Sequence, residues 1–217
     1  MVDTWIEARH DEKLRQEYES RLLDDLQADR EALAYRIRFF RSVRDFGTDT
    51  LDRIRSGEPV GQDALLAAYY AAEIFVFAPI ENTYADLQST GNIRLLQNID
   101  LRLALASYHS RSPTLSAARS TEYRAIVRGI IPFRIQQAIR EHCPTTDPSD
   151  AVPTGFPECS IPHVGSEEAS RIFAQLAAHP GIEEILTYRV SEVDVSVRLY
   201  NVQKAAAQGV IDILDPQ

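Results

Sequence analysis

Two cysteines and two histidines share one proline-studded stretch: His142-Cys143 at its start, and Cys159 with His163 towards its end. Cys143 and Cys159 stand sixteen positions apart, and the chain has no other cysteine. Three chemistries are open to them. A disulfide would close the loop between them, with an entropic stabilisation of roughly 3 kcal/mol for that length, and it would require an oxidising compartment. Two thiolates and two imidazoles are also a ligand set for tetrahedral zinc. Adjacent His-Cys is poor geometry for that, however, and no C-x2-C knuckle is present. Two inert free thiols are the third reading. The disulfide, Cys143 with Cys159, is the expectation, and no metal is expected.

A second chemistry lies in charge placement. From Asp100 to His142 the chain carries arginines at 102, 111, 119, 124, 128, 134 and 140 against only Asp100, Glu122 and Glu141, while every other segment is acidic. Arg124 and Arg128 are one helical turn apart, so they can present a guanidinium fork to a carboxylate or phosphate. The plainer alternative is that this basic segment packs beside the acidic first and last helices, in exposed pairs of little strength.

No catalytic constellation is legible. There is no G-x-S-x-G, H-E-x-x-H or phosphate-cradling glycine loop, and the histidines at 10, 109, 142, 163 and 179 are scattered. The side-by-side acids Asp24-Asp25 and Glu183-Glu184 point about 100° apart on a helix and cannot share a proton or metal. No cofactor is implied. The net charge of -9 excludes a general nucleic-acid binder, which needs a cationic surface against phosphates.

These residues hang on helices. Leu14, Tyr18, Leu22 and Leu26 recur every four positions, then Leu33, Ile37, Phe40, Val43, Leu51 and Ile54 continue at helical spacing, with no proline before Pro59. This predicts one amphipathic helix over the first fifty-odd residues, ~75 Å long at 1.5 Å per residue. Residues 1–30 are expected to project as a stalk. "LLAAYYAAEIFVFAPI" predicts a buried helix over Gln62 to Phe77. It is too short for a membrane span, and Glu73 interrupts it.

Between 82 and 97 the spacing predicts a corner of two short helices, capped by Asn82 or Thr83 and by Asn92, with Gly91 left-handed between them. Asn98 caps a long helical pattern in which Pro113 starts a new helix or makes a kink, and Pro132 kinks it again. The stretch from Cys143 to Gly165 holds five prolines and no helical period. Ser166 caps a helix to about Ala178, and a last one spans about Ile182 to Leu214. The fold class is all-α: an antiparallel bundle of long helices in a single domain over 1–217.

The pattern "NTYADLQSTGNIRLLQNIDLRLALASYH" resembles the signature of an uncharacterised bacterial family whose members carry an N-terminal transmembrane helix followed by a helical domain of unknown function. Thr83, Tyr84, Leu87, Ser89 and Gly91 match its Thr-Tyr-x-x-Leu-x-Ser-x-Gly turn. Leu95, Asn98, Leu101 and Tyr108 match the family's short Leu/Ile helix, its Asn and its long helix after that turn. The opening stretch "VDTWIEARHDEKLRQEYESRLL" resembles the segment after the family's membrane helix. The resemblance implies no activity or substrate. It implies a single-pass anchor upstream of Val2, with Met1 standing where the anchor was, and a domain at the bacterial inner membrane. A disulfide would place that domain on the periplasmic side, and a cytoplasmic orientation is the alternative. The expected function is therefore non-enzymatic binding of a partner protein or small ligand, or self-association through the first helix around Trp5 to Leu26. The alternatives are a metal protein or enzyme with its site between His142 and His163, and a structural coiled-coil spacer.

Overall fold

A computed structural model describes residues 2–75, 78–111, 122–146 and 155–216. The kink expected at Pro113 lies outside these. The chain is all-α. It opens on α1 (Val2–Ser56), followed by α2 (Gln62–Ala71), α3 (Asn82–Ser89), a 3-10 turn (Asn92–Leu95), α4 (Ile99–Arg111), α5 (Glu122–Ile130), α6 (Phe133–His142), α7 (Ser166–Ala177) and α8 (Ile182–Leu214). Gly57, with φ +65, follows the end of α1. Of the residues expected to line the inner stripe of α1, Tyr18, Leu22, Leu26, Leu33, Ile37, Phe40, Val43 and Leu51 are buried, and Leu14 and Ile54 are partly buried.

The described residues form two compact units, each with its own core. A continuous helical stripe does not announce where its packing partners change. The first unit comprises 1–34, 76–117 and 199–217. Its core joins Tyr18, Leu22 and Leu26 to Leu87, Leu96, Leu105, Tyr108 and Val210. In the stretch expected to project as a stalk, residues 5–13 are exposed, Leu14 packs on this core, and Tyr18, Leu22 and Leu26 are buried in it.

The corner of this unit is built largely as its residue types require. Gly91 adopts φ +73, and Asn98 Oδ1 accepts the backbone N–H of Asp100 and Leu101 at 2.9 and 3.2 Å. Leu95 and Leu96 turn inward. Two expected caps differ. α3 begins at Asn82 itself, behind Glu81, with no side-chain cap bond. The Asn92 amide is instead drawn to the Tyr18 hydroxyl at 3.1 Å.

The second unit comprises 35–75 and 118–198. α2 lies at its centre, with every residue from Ala64 to Ala72 buried. The Tyr123 hydroxyl donates to the Ala68 carbonyl at 3.2 Å, and α5 and α7 flank α2. The Gln62 side chain accepts the Ile161 N–H at 2.9 Å and donates to the Val164 carbonyl, fastening the loop ahead of α7.

Pro132 breaks the long third pattern outright. Lacking an N–H, it cannot serve the Arg128 carbonyl four residues back. The Gln136 amide does so at 2.7 Å, and also reaches the Ile131 carbonyl at 2.7 Å. Ser166 is the first helical residue of α7; Gly165 precedes it, and no side chain caps the helix. At Gly47 on α1 there is no room for a Cβ, which would meet Val190 Cγ2 of α8 at 2.6 Å.

α2 stops at Ala71 where a helix to Phe77 was expected. Its last carbonyls are claimed by distant arginines. Arg189 donates to the carbonyls of Ala71 (3.3 Å) and Glu73 (2.6 Å), and Arg124 Nη1 donates to that of Ala72 (2.8 Å). These bonds satisfy the acceptors that another helical turn would have used.

Candidate functional site

The second unit holds a cavity of about 470 Å³ at the C-terminal ends of α2 and α6. Tyr69, Tyr70 and Glu73 come from the end of α2 and the residues just beyond it, and Arg124 and Arg128 from successive turns of α5. Arg140, Cys143, Thr145 and Thr146 come from the end of α6 and the residues after it.

Arg124 and Arg128 form the fork that their spacing suggested, and the carboxylate between its tines is internal. Glu73 Oε2 accepts Arg124 Nη1 at 3.2 Å, while Glu73 Oε1 accepts Arg128 Nη2. The pairing is therefore with the residue beyond α2, not with the acidic first and last helices. The Arg128 guanidinium lies over the Tyr69 ring, 3.4 Å from its centroid. Its Nε and Nη1 are shut from solvent without a hydrogen-bond partner. Burial pulls the Arg128 pKa below the usual guanidinium value, and the charge of Glu73 opposes that shift. Burial also raises the Tyr69 phenol, against the pull of Arg128 and Arg140, and pushes Tyr70 up to about 12. Arg140 is exposed, with Phe133 5.6 Å away.

Cys143 and Cys159 are joined in a disulfide. Both thiolates of the zinc reading are therefore committed to each other, and His142 turns its Nδ1 to the Ala138 carbonyl at 3.1 Å. Cys143 is buried and forms part of the cavity wall. Cys159 Sγ lies 3.4 Å from the Tyr70 hydroxyl. Phe156, three residues before Cys159, stacks on Phe39 (4.9 Å between centroids) and tilts against Tyr70 (4.7 Å). The proline-rich stretch is thus pinned at both described ends.

The motif residues of the corner lie in the first unit, in structural positions. Thr83, Leu87, Leu101 and Tyr108 are buried, and Ser89 Oγ donates to the Asp86 carbonyl at 3.2 Å. The Tyr84 ring stacks on His109, with centroids 4.3 Å apart and planes 7° apart.

Sequence reasoning found Arg124, Arg128 and Cys143, and missed Glu73, Tyr69, Tyr70 and Arg140 as members of the same wall. One signal was available: Glu73 is a single carboxylate inside an otherwise apolar run, and such a charge needs a partner. Comparisons of the chain with protein-family models, with curated proteins and with solved structures returned no match.

Proposed function

We propose that the chain is a non-enzymatic helical binding domain whose small ligand enters the cavity of the second unit. The observation that carries this reading is the cavity wall itself. A volume of about 470 Å³ falls inside the ~300–1,000 Å³ of small-molecule sites. Its polar groups are guanidiniums, phenols, threonine hydroxyls, the Glu73 carboxylate and the Gln136 amide, suited to holding a ligand. No described lining residue pairs a nucleophile with a base.

The family resemblance supports carriage on a single-pass anchor of a bacterial inner membrane. No described helix is long and apolar enough to cross a bilayer, so the anchor of this proposal precedes Val2. The Cys143–Cys159 disulfide favours a periplasmic position, since such bonds persist in oxidising compartments. About twenty apolar codons upstream of Val2 in the natural gene is the expected finding; a polar upstream sequence or none would remove the anchor from the proposal.

The ligand-binding reading is tested by thermal denaturation of the chain against a panel of neutral, cationic and anionic small molecules. A ligand at a hundredfold excess over its Kd adds about 2.7 kcal/mol. For a chain of this size that is roughly 5–10 °C in Tm. The shift is expected in the wild type and not in Thr145→Trp, which fills the cavity. A panel without any shift would overturn the reading.

The exposed Trp5 and Ile6 on the first turns of α1, 60% and 54% accessible, favour a second reading. In it, chains associate through this end of the helix. A strict monomer by light scattering at high concentration would count against it.

A further inference from the structure

We propose that the ligand of this cavity is a small organic dianion bound through two carboxylates, held by Arg140 and by the Arg124–Arg128 pair. The inference rests on the cavity being a ligand site, and it adds the chemistry of what enters. Three guanidiniums and one carboxylate line the cavity, leaving two positive charges uncompensated among the described residues. That surplus sits inside a protein whose net charge is -9.

Glu73 is fully spent, with one oxygen on each of Arg124 and Arg128. Arg128 nonetheless uses only one of its nitrogens in hydrogen bonding, and its other two are enclosed without acceptors. Those two nitrogens are closed to a ligand as they are to solvent, so Arg128 contributes its charge, not hydrogen bonds, to what enters the cavity. Arg140 supplies a separate charge, because none of its contacts among the described residues is with a carboxylate. Charge offered from two helices, α5 and α6, suits a ligand with more than one anionic group.

The lining favours carboxylate over phosphate. Guanidiniums bind either anion in parallel hydrogen bonds. Phosphate sites also draw on glycine-rich runs of backbone N–H groups, and no glycine is among the described residues that line this cavity. The hydroxyls of Thr145 and Thr146 stand on the same wall as further donors.

The test is isothermal titration calorimetry on the intact chain with succinate, glutarate, the neutral diamide of succinate, and inorganic phosphate. One of the two dicarboxylates is expected to bind. Arg140→Gln, an exposed position that leaves the fold intact, is expected to weaken that binding at least tenfold, and Arg140→Lys to restore it only in part. Diamide bound as tightly as dicarboxylate would overturn the dianion while leaving the cavity a ligand site. Phosphate bound more tightly than either dicarboxylate would overturn the carboxylate chemistry. Unchanged dicarboxylate binding in Arg140→Gln would overturn the assignment of Arg140. Binding of none of the four probes, where the broader thermal panel does find a ligand, would overturn the dianion alone. If the thermal panel also fails, both readings fall.

Discussion

The Tyr108 hydroxyl donates a 2.7 Å hydrogen bond to Asp29, two side chains 79 residues apart that meet in the core of the first unit. Asp29 is 2% exposed, and its carboxylate also accepts the backbone N–H of Ile80 at 3.0 Å. A carboxylate this deep is tolerable only where its oxygens are hydrogen-bonded. Burial, then the Asp29 hydrogen bond, raises the Tyr108 pKa far above the ordinary phenol value, so the hydroxyl stays a donor at all working pH. Tyr108→Phe keeps the ring and deletes one donor to a charged acceptor. The expected loss is about 1.5–3 kcal/mol, read from chemical denaturation of the first unit by a probe placed there.

The disulfide gives a second expectation. Thiol counting under denaturing, non-reducing conditions should find no free thiol. Exchanging both cysteines for serine should cost about 3 kcal/mol on the chain-entropy account. Because Cys143 is part of the cavity wall, the same variant should also weaken any ligand of that cavity. Two reactive thiols in the native protein would contradict the structure and remove one support of the periplasmic assignment.

Stability should depend on pH through His109. Burial depresses its pKa below the ordinary 6.5, with the charges of Glu81 and Asp25 opposing. The imidazole stacks on Tyr84, and its Nδ1 is enclosed without a hydrogen bond. As pH falls through the unfolded-state value of about 6.5, the unfolded chain takes up a proton that the folded chain refuses. This contribution is therefore present above that value and lost below it. Urea midpoints measured from pH 7.5 down to 5.5 should fall, and His109→Gln should flatten that part of the curve. An unchanged slope in the variant would assign the effect to other groups.

Gly47→Ala should destabilise the second unit by about 1–3 kcal/mol, because the new methyl would press on Val190 at 2.6 Å. Adding Val190→Ala opens the space and should recover part of the loss. Additive losses in the double variant would show that the two positions do not share the strain.

Much of this could be read from residue types alone. The stripe from Leu14 to Ile54 is a local pattern, and α1 follows it to Ser56. The break at His179-Pro180-Gly181 and the cap at Asn98 are local too, and the helices begin beside them. What escaped is non-local. Nothing between Gln62 and Phe77 says that Arg124 and Arg189 will take the carbonyls at the end of α2. Arg124 and Arg128 showed themselves as a fork by spacing, whereas the carboxylate that fills it lies 51 and 55 positions away. The duty of Gln136 to the carbonyl orphaned by Pro132 appears only once the α5–α6 corner is built.

Arg189 has a consequence for how the chain can vary. It is a buried cation that does the work of a core residue, spending its charge on two carbonyls 118 and 116 positions earlier in the chain. A lysine would bring the charge without the planar fork, and a leucine would bring the bulk without the donors. Neither substitutes for it. The length of α2 is thus written in α8, and the two helices can diverge in sequence only together.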